Sequence, residues 1–138
     1  MPSPIFPLPW SNGPHDGWGG AVVLSVTDFQ YRRQEDLEAC AAIAMKLAAT
    51  WPVMQGAVAL RFWAMPDQLR IGALTAWQEK SDLQRFVRWP VHQDVVRQFR
   101  DLGTLGHATS TWSADRFDAD GAWAEAEHRL IAGDRATA

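Results

Sequence analysis

Two stretches of alternating character, residues 55–65 and 69–77, are separated only by Pro66-Asp67-Gln68, and this constrains the chain more than any other feature. In the first stretch Val58, Leu60 and Phe62 fall on one parity and Ala57, Ala59, Arg61 and Trp63 on the other, the period of two expected of a β-strand. Residues 69–77 behave similarly. The short connector can close a hairpin but not a parallel crossover, so the two strands are antiparallel.

The flanking segments complete a pattern. Ala21 to Phe29 is short, β-branched and preceded by glycines, a strand signal. Residues 33–51 put Leu37, Cys40, Ala41, Ala44, Leu47, Ala48 and Trp51 at helical spacing, and Pro52 ends that amphipathic helix. After Trp77, Ser81-Asp82-Leu83-Gln84 matches a capping box in which serine and glutamine satisfy free N–H groups at a helix start. Pro90 breaks or kinks that helix, Val91 to Leu102 resumes it, and Gly103 is read as its C-terminal cap. Thr104 to Ser113 reads as a fourth strand.

Strand, helix, strand, strand, helix, strand is the order of a ferredoxin-like βαββαβ domain of the α+β class, here over residues 20–113. Apolar residues on both strand parities require both sheet faces to be covered, whereas the two helices cover one. A partner subunit is the simplest cover, so a homodimer is expected. Residues 1–19, rich in proline, are expected to form an arm of extended and turn conformation rather than helix or strand. Of its Trp10 and Trp18, at least one should pack on the domain or a partner. In the tail, residues 114–138, Trp123, Ala126, Leu130 and Ile131 share helical spacing, and this final helix docks on the domain or on its dimer partner.

Thirteen Lys+Arg against sixteen Asp+Glu, with no dense basic run, lack the electrostatic footprint of a nucleic-acid binder. No apolar run approaches the roughly 18 residues of a membrane span. The N-terminus does not resemble a signal peptide, so a cytoplasmic protein is expected. The single cysteine, Cys40, reads as a small buried hydrophobe. The four histidines show neither HxH nor HExxH spacing, so no metal site is expected, and motifs for nucleotide binding and serine hydrolysis are missing.

A strand ending in tryptophan, followed by serine, leucine, phenylalanine and histidine, here Trp77, Ser81, Leu83, Phe86 and His92, resembles the dimeric α+β barrel superfamily, in particular its antibiotic-biosynthesis-monooxygenase-like domains. The resemblance implies two protomers packed sheet to sheet, each with a pocket between its own sheet and helices. Members include cofactor-independent monooxygenases, haem-degrading enzymes, muconolactone isomerases and polyketide cyclases. The proline-rich arm and tail helix are additions to the minimal domain.

Among residues able to carry chemistry, His92 shares a helical face with Val95, Val96 and Phe99, an apolar setting that brings its pKa into the range for proton transfer. A packed histidine bonded to a backbone carbonyl is the competing reading. His107, on the parity of Leu105, Thr109 and Thr111, is a second candidate base or donor, or a residue of the dimer seam. Arg61, in an otherwise apolar strand, either binds an anionic group of a substrate or forms a salt bridge, for instance to Asp28. Trp63, Trp77, Trp89 and Trp112, with Phe86, either wall a flat aromatic substrate or belong to the core, and Ser25, Thr27, Thr75 and Thr109 offer hydroxyls. The leading expectation, taken from the resemblance, is a cofactor-independent monooxygenase of secondary metabolism acting on an apolar aromatic or polyketide-like molecule, with His92 as acid/base. A cyclase or isomerase, a haem-binding protein and a non-catalytic binding dimer are the alternatives.

Overall fold

In the computed structural model, which describes residues 3–137, one antiparallel sheet organises the chain. Its strands are β1 (Phe6–Pro7), β2 (Ser11–Asn12), β3 (Val22–Tyr31), β4 (Ala57–Met65), β5 (Arg70–Trp77), β6 (Gly103–Leu105) and β7 (Ser110–Ala114). The helices are α1 (Leu37–Ala48), α2 (Lys80–Arg88), α3 (Pro90–Arg100) and α4 (Ala119–Thr137). The central order β4-β5-β3, with β6 and β7 both on the outer edge of β3, is that of a ferredoxin-like fold. The hairpin of β4 and β5 is closed by a 3-10 turn over Pro66–Gln68 and by Leu69 at φ 55.

The proline-rich arm departs from its expected lack of strand. Phe6 and Pro7 pair with Ala64 and Trp63, and Ser11 and Asn12 with Leu60 and Ala59, antiparallel along β4. Proline is tolerated there because the outer N–H of an edge strand faces no ladder. Met1, Pro2 and Ala138 lie outside the described residues.

A register shift between Ala57 and Ala59 alters the parity read from the sequence. It puts Ala57 in the cluster of Leu60 and Phe62, and Val58 beside Ala59 and Trp63. Such a bulge inserts one residue and exchanges the faces beyond it.

The two sheet faces are covered by different helices. On one, α1, α2 and α3 bury Leu60, Phe62, Trp77, Phe29 and Ile71. On the other, Ala122, Ala126 and Leu130 of α4 pack against Val22, Leu24, Val26, Trp63, Leu74 and Ala76. The cover that both apolar parities demanded, and for which a partner subunit was the simplest source, is supplied within the chain. Small side chains on α4 allow the close approach: a Cβ at Gly133 would strike Ala108.

Two further local readings are corrected. The capping box is not Ser81–Gln84 but Glu79–Asp82, two residues earlier: Glu79 caps α2, and its N–H donates to Asp82 Oδ2 at 3.2 Å. Gly56, at φ 78, lies so close to the Asp82 carboxylate that no Cβ fits. Gly103, read as a cap, instead opens β6 against the Gln30 carbonyl, while α3 closes at Asp101.

Candidate functional site

The bend at Pro90 places His92, partly buried, on the side of the sheet covered by α1, α2 and α3. Trp89 is extended, at φ −63 and ψ 133, as the residue before a proline prefers, and Pro90 begins α3. The Val87 carbonyl at the end of α2 then has no helical partner and is taken by two side chains from α3. Gln93 Nε2 donates to it at 2.7 Å, and His92 Nδ1 lies 3.2 Å away. A carbonyl only accepts, so the imidazole carries its hydrogen on Nδ1 and leaves Nε2 with a lone pair.

The His92 ring rests on Phe86, centroids 4.6 Å apart, and Phe86 in turn contacts Trp77 at 5.1 Å. Burial lowers the His92 pKa below its usual 6.5, although the bond to Val87 acts in the opposite direction. Acidification below 6.5 should therefore weaken the fold, because the unfolded chain takes up this proton more readily; the loss continues until the lowered folded value is passed. A His92→Gln variant should show a smaller drop in unfolding midpoint between about pH 7.5 and 5.5 than the parent, followed by circular dichroism.

From Trp77 the contact chain continues into the sheet, where Nε1 donates to Thr75 Oγ1 at 2.9 Å. Register then sets three hydroxyls abreast across three strands, since Ser25 faces Thr75 on β5 and Thr111 on β7. Thr27, Thr111 and Ser113 on this half of the face are exposed. The sheet thus changes from apolar under α1 to hydroxyl-lined towards β7.

The other sequence candidates lie elsewhere. Arg61 is on the α4 side, where Nε donates to the Leu8 carbonyl at 2.8 Å and the guanidinium sits over Trp10 and Trp123 at 4.7 and 5.5 Å. It joins the arm to α4 and makes no salt bridge to Asp28. Trp10 also meets Phe117 edge-on, whereas Trp18 stays exposed. Trp63 and Trp112 share the α4 side, the first donating to the Thr27 carbonyl and the second lying 4.3 Å under Arg129. Trp77, Trp89 and Phe86 share the His92 side. The four tryptophans therefore do not line one wall.

His107 is not on a strand. Two residues of β3, Thr27 and Asp28, face the four residues Gly106 to Thr109, so the expected fourth strand is split into β6 and β7, and His107 sits exposed on the turn between them. Asp28 causes the split. Its carbonyl accepts from Gly106 N–H at 2.7 Å, its carboxylate from Ala108 N–H at 3.2 Å, and its own N–H donates to Thr109 Oγ1 at 3.0 Å.

Asp28 and Arg70 form the buried ion pair that residue order did not disclose. They are 2% and 4% exposed, and Arg70 Nε and Nη2 donate to the carboxylate at 3.0 and 3.2 Å. Arg70 Nη2 also donates to the Leu130 carbonyl at 3.0 Å, which ties α4 to β5. The pair lines a cavity of about 120 Å3 whose rim includes Gln30, Gln68 and His107. Only the register, in which Asp28 faces Gly72 two residues from Arg70, brings the charges together. Cys40 is fully buried, and burial first, then Asp36, pushes its thiol up to about 11.

No family model matches the chain, and neither does any curated protein. Solved structures do match. A haem-degrading enzyme from Listeria monocytogenes shares 9% identity and a TM-score of 0.56, covering 82% of this chain and 71% of its own. A cofactor-independent oxygenase from Streptomyces nogalater shares 15% identity and a TM-score of 0.54, covering 71% of this chain and 95% of its own. An uncharacterised ferredoxin-fold protein related to antibiotic biosynthesis monooxygenases, also from Listeria monocytogenes, shares 10% identity and a TM-score of 0.54, with 80% of this chain and 63% of its own covered. The chain thus has the ferredoxin-like α+β fold of the antibiotic-biosynthesis-monooxygenase-like proteins. Among the described residues, no helix is long and apolar enough to cross a membrane.

Proposed function

We propose that the protein is a small-molecule enzyme of the cofactor-independent oxygenase type, acting on an apolar aromatic substrate with His92 as the base. The observation that carries this reading is the held imidazole: neutral near pH 7, fixed through Nδ1 to the Val87 carbonyl, and with Nε2 unengaged. Trp89, half-buried and backed by the buried Phe86 and Trp77, supplies aromatic surface on the same side, and the row of Thr75, Ser25 and Thr111 supplies hydroxyls for a substrate oxygen. Arg61 and His107 take no part in this assignment.

In the reaction, Nε2 removes a proton from an electron-rich phenol or the tautomeric ketone. The resulting anion reduces O2, and the two combine as a peroxide. Breaking its O–O bond releases water and leaves a quinone, so O2 supplies the oxidising equivalents. Like the oxygenase from Streptomyces nogalater, the protein would need no bound cofactor. A cyclase or isomerase would use the same proton transfer without consuming O2.

The haem-degrading neighbour supports a second reading on the same residue, because a neutral imidazole with Nε2 free is the form that ligates iron. His92 would be the residue that holds the iron, and bound haem would supply O2 activation there. The groove at the α2–α3 bend is open and His92 is not among its lining residues, so it offers no slot that would hold haem against the imidazole, and this favours the cofactor-independent reading.

Oxygen uptake with dihydroxynaphthalenes and anthrones should be catalysed, and His92→Ala should lower kcat by roughly 10²- to 10⁴-fold with an unchanged near-ultraviolet spectrum. Full turnover by that variant would remove His92 from the mechanism. Proton-dependent conversion without O2 uptake would select the cyclase reading, and a Soret band that His92→Ala abolishes would select haem. A homodimer fits this reading if it forms through a surface other than the face that α4 covers, and a cytoplasmic location fits it as well.

A further inference from the structure

The same bend that presents His92 also forms a groove of about 520 Å3, lined by Ser81, Gln84, Arg85, Arg88, Trp89 and Pro90. This lies within the roughly 300–1,000 Å3 of small-molecule sites. Ser81, Gln84, Arg85 and Arg88 stand at i, i+3, i+4 and i+7 and so form one stripe along α2. Trp89 and Pro90 close the end of the stripe, because the extended residue before the proline turns α3 away. The floor is firm: Trp89 packs on Phe86 at 6.5 Å between centroids.

The charges in this groove are unequal. Arg85 is neutralised by Asp82, 2.9 Å away. Arg88 has no ion-pair partner among the described residues and is exposed at the end of the stripe beside the half-buried indole. The Ser81 hydroxyl at the far end of the stripe donates to the Glu79 carboxylate at 3.3 Å, so the anion-binding end is the Arg88 end. There a cation next to an aromatic and a proline ring, with the amide of Gln84 on the same stripe, matches a planar ligand with a negative group at its edge. Its apolar body would lie on Trp89 and Pro90, and its anionic edge would meet the Arg88 guanidinium.

We propose that this groove binds planar aromatic anions, a carboxylate or phenolate on a fused-ring body, through Arg88 and Trp89. The inference rests on the oxygenase reading for its purpose, as a docking place for the charged edge of that substrate class beside rather than around His92, which does not line the groove; binding is measured independently of turnover. The probe pair is 2-naphthoate and its uncharged amide, 2-naphthamide, titrated calorimetrically into the whole chain. The parent should prefer the acid about fivefold, a preference that shrinks as salt rises above about 0.15 M. Arg88→Gln, at an exposed position, should bring acid and amide within about twofold of each other, and Trp89→Leu should weaken both.

Equal binding of acid and amide by the parent, absence of binding by either, or an acid preference that survives Arg88→Gln would each overturn the site. If the Arg88-dependent preference holds but no naphthol or hydroxynaphthoate drives oxygen uptake, the oxygenase reading fails and the groove stands. Uptake with no charge preference has the opposite meaning.

Discussion

Asp28→Ala should destabilise the protein by about 3–5 kcal/mol, the range for removing one member of a buried ion pair. The change strips the carboxylate from Arg70 and leaves the Ala108 N–H without its acceptor, both inside the structure. It also releases the turn that holds β6 and β7 apart, so the damage should extend beyond a local cavity. Denaturant unfolding checks the magnitude. The double variant Asp28→Leu with Arg70→Met should recover only part of the loss, because an apolar pair leaves no buried charge unpaired but restores neither the acceptor of the Ala108 N–H nor the donor to the Leu130 carbonyl. A single variant within about 1 kcal/mol of the parent would show that the pair is dispensable.

Ala126→Glu should be comparably severe, costing at least about 3 kcal/mol and raising the binding of a hydrophobic dye. Ala126 is fully buried in α4, in the cluster that contains Leu24, Val26 and Leu74. A glutamate there either buries an unpaired charge or lifts the helix and bares the sheet. The variant also separates two ways of covering that face. If α4 covers it, the substitution is disruptive at every protein concentration. If instead a second subunit took that place in solution, with α4 elsewhere, the side chain would be exposed and the variant would unfold like the parent.

Residue order was informative elsewhere in the chain. The hairpin was legible because Pro66-Asp67-Gln68 leaves no room for anything but an antiparallel turn, and strand and helix periods differ enough to be read locally. Pro90 was legible for a similar reason: a proline restricts the residue before it wherever it occurs. His92 was found from its spacing to Val95, Val96 and Phe99, but what holds it, the Val87 carbonyl freed by the bend, is a matter of geometry.

The misplacements of Ala57, Val58, His107 and Thr109 share one cause. Parity along a strand assumes an unbroken ladder, and the ladder is interrupted at Val58 and again opposite Asp28. The first interruption exchanged the faces of Ala57 and Val58. The second took His107 and Thr109 off the strand, turning one into an exposed turn residue and the other into a bridge to the Asp28 backbone. Arg61 was paired with the wrong neighbour because a charge in an apolar strand announces that it needs a partner without saying which one. Its partners are a carbonyl and two indoles from the two ends of the chain.

The sequence by itself determined the order of elements, the antiparallel hairpin, the bend before α3 and the demand that both sheet faces be covered, since each follows from local sterics or from the count of apolar residues. Tertiary structure alone decided that α4 meets this demand within the chain, that Arg70 rather than Arg61 neutralises Asp28, and that the tryptophans divide between two faces. Those outcomes depend on register and on contacts between residues far apart in the chain, and such contacts leave no local pattern to read.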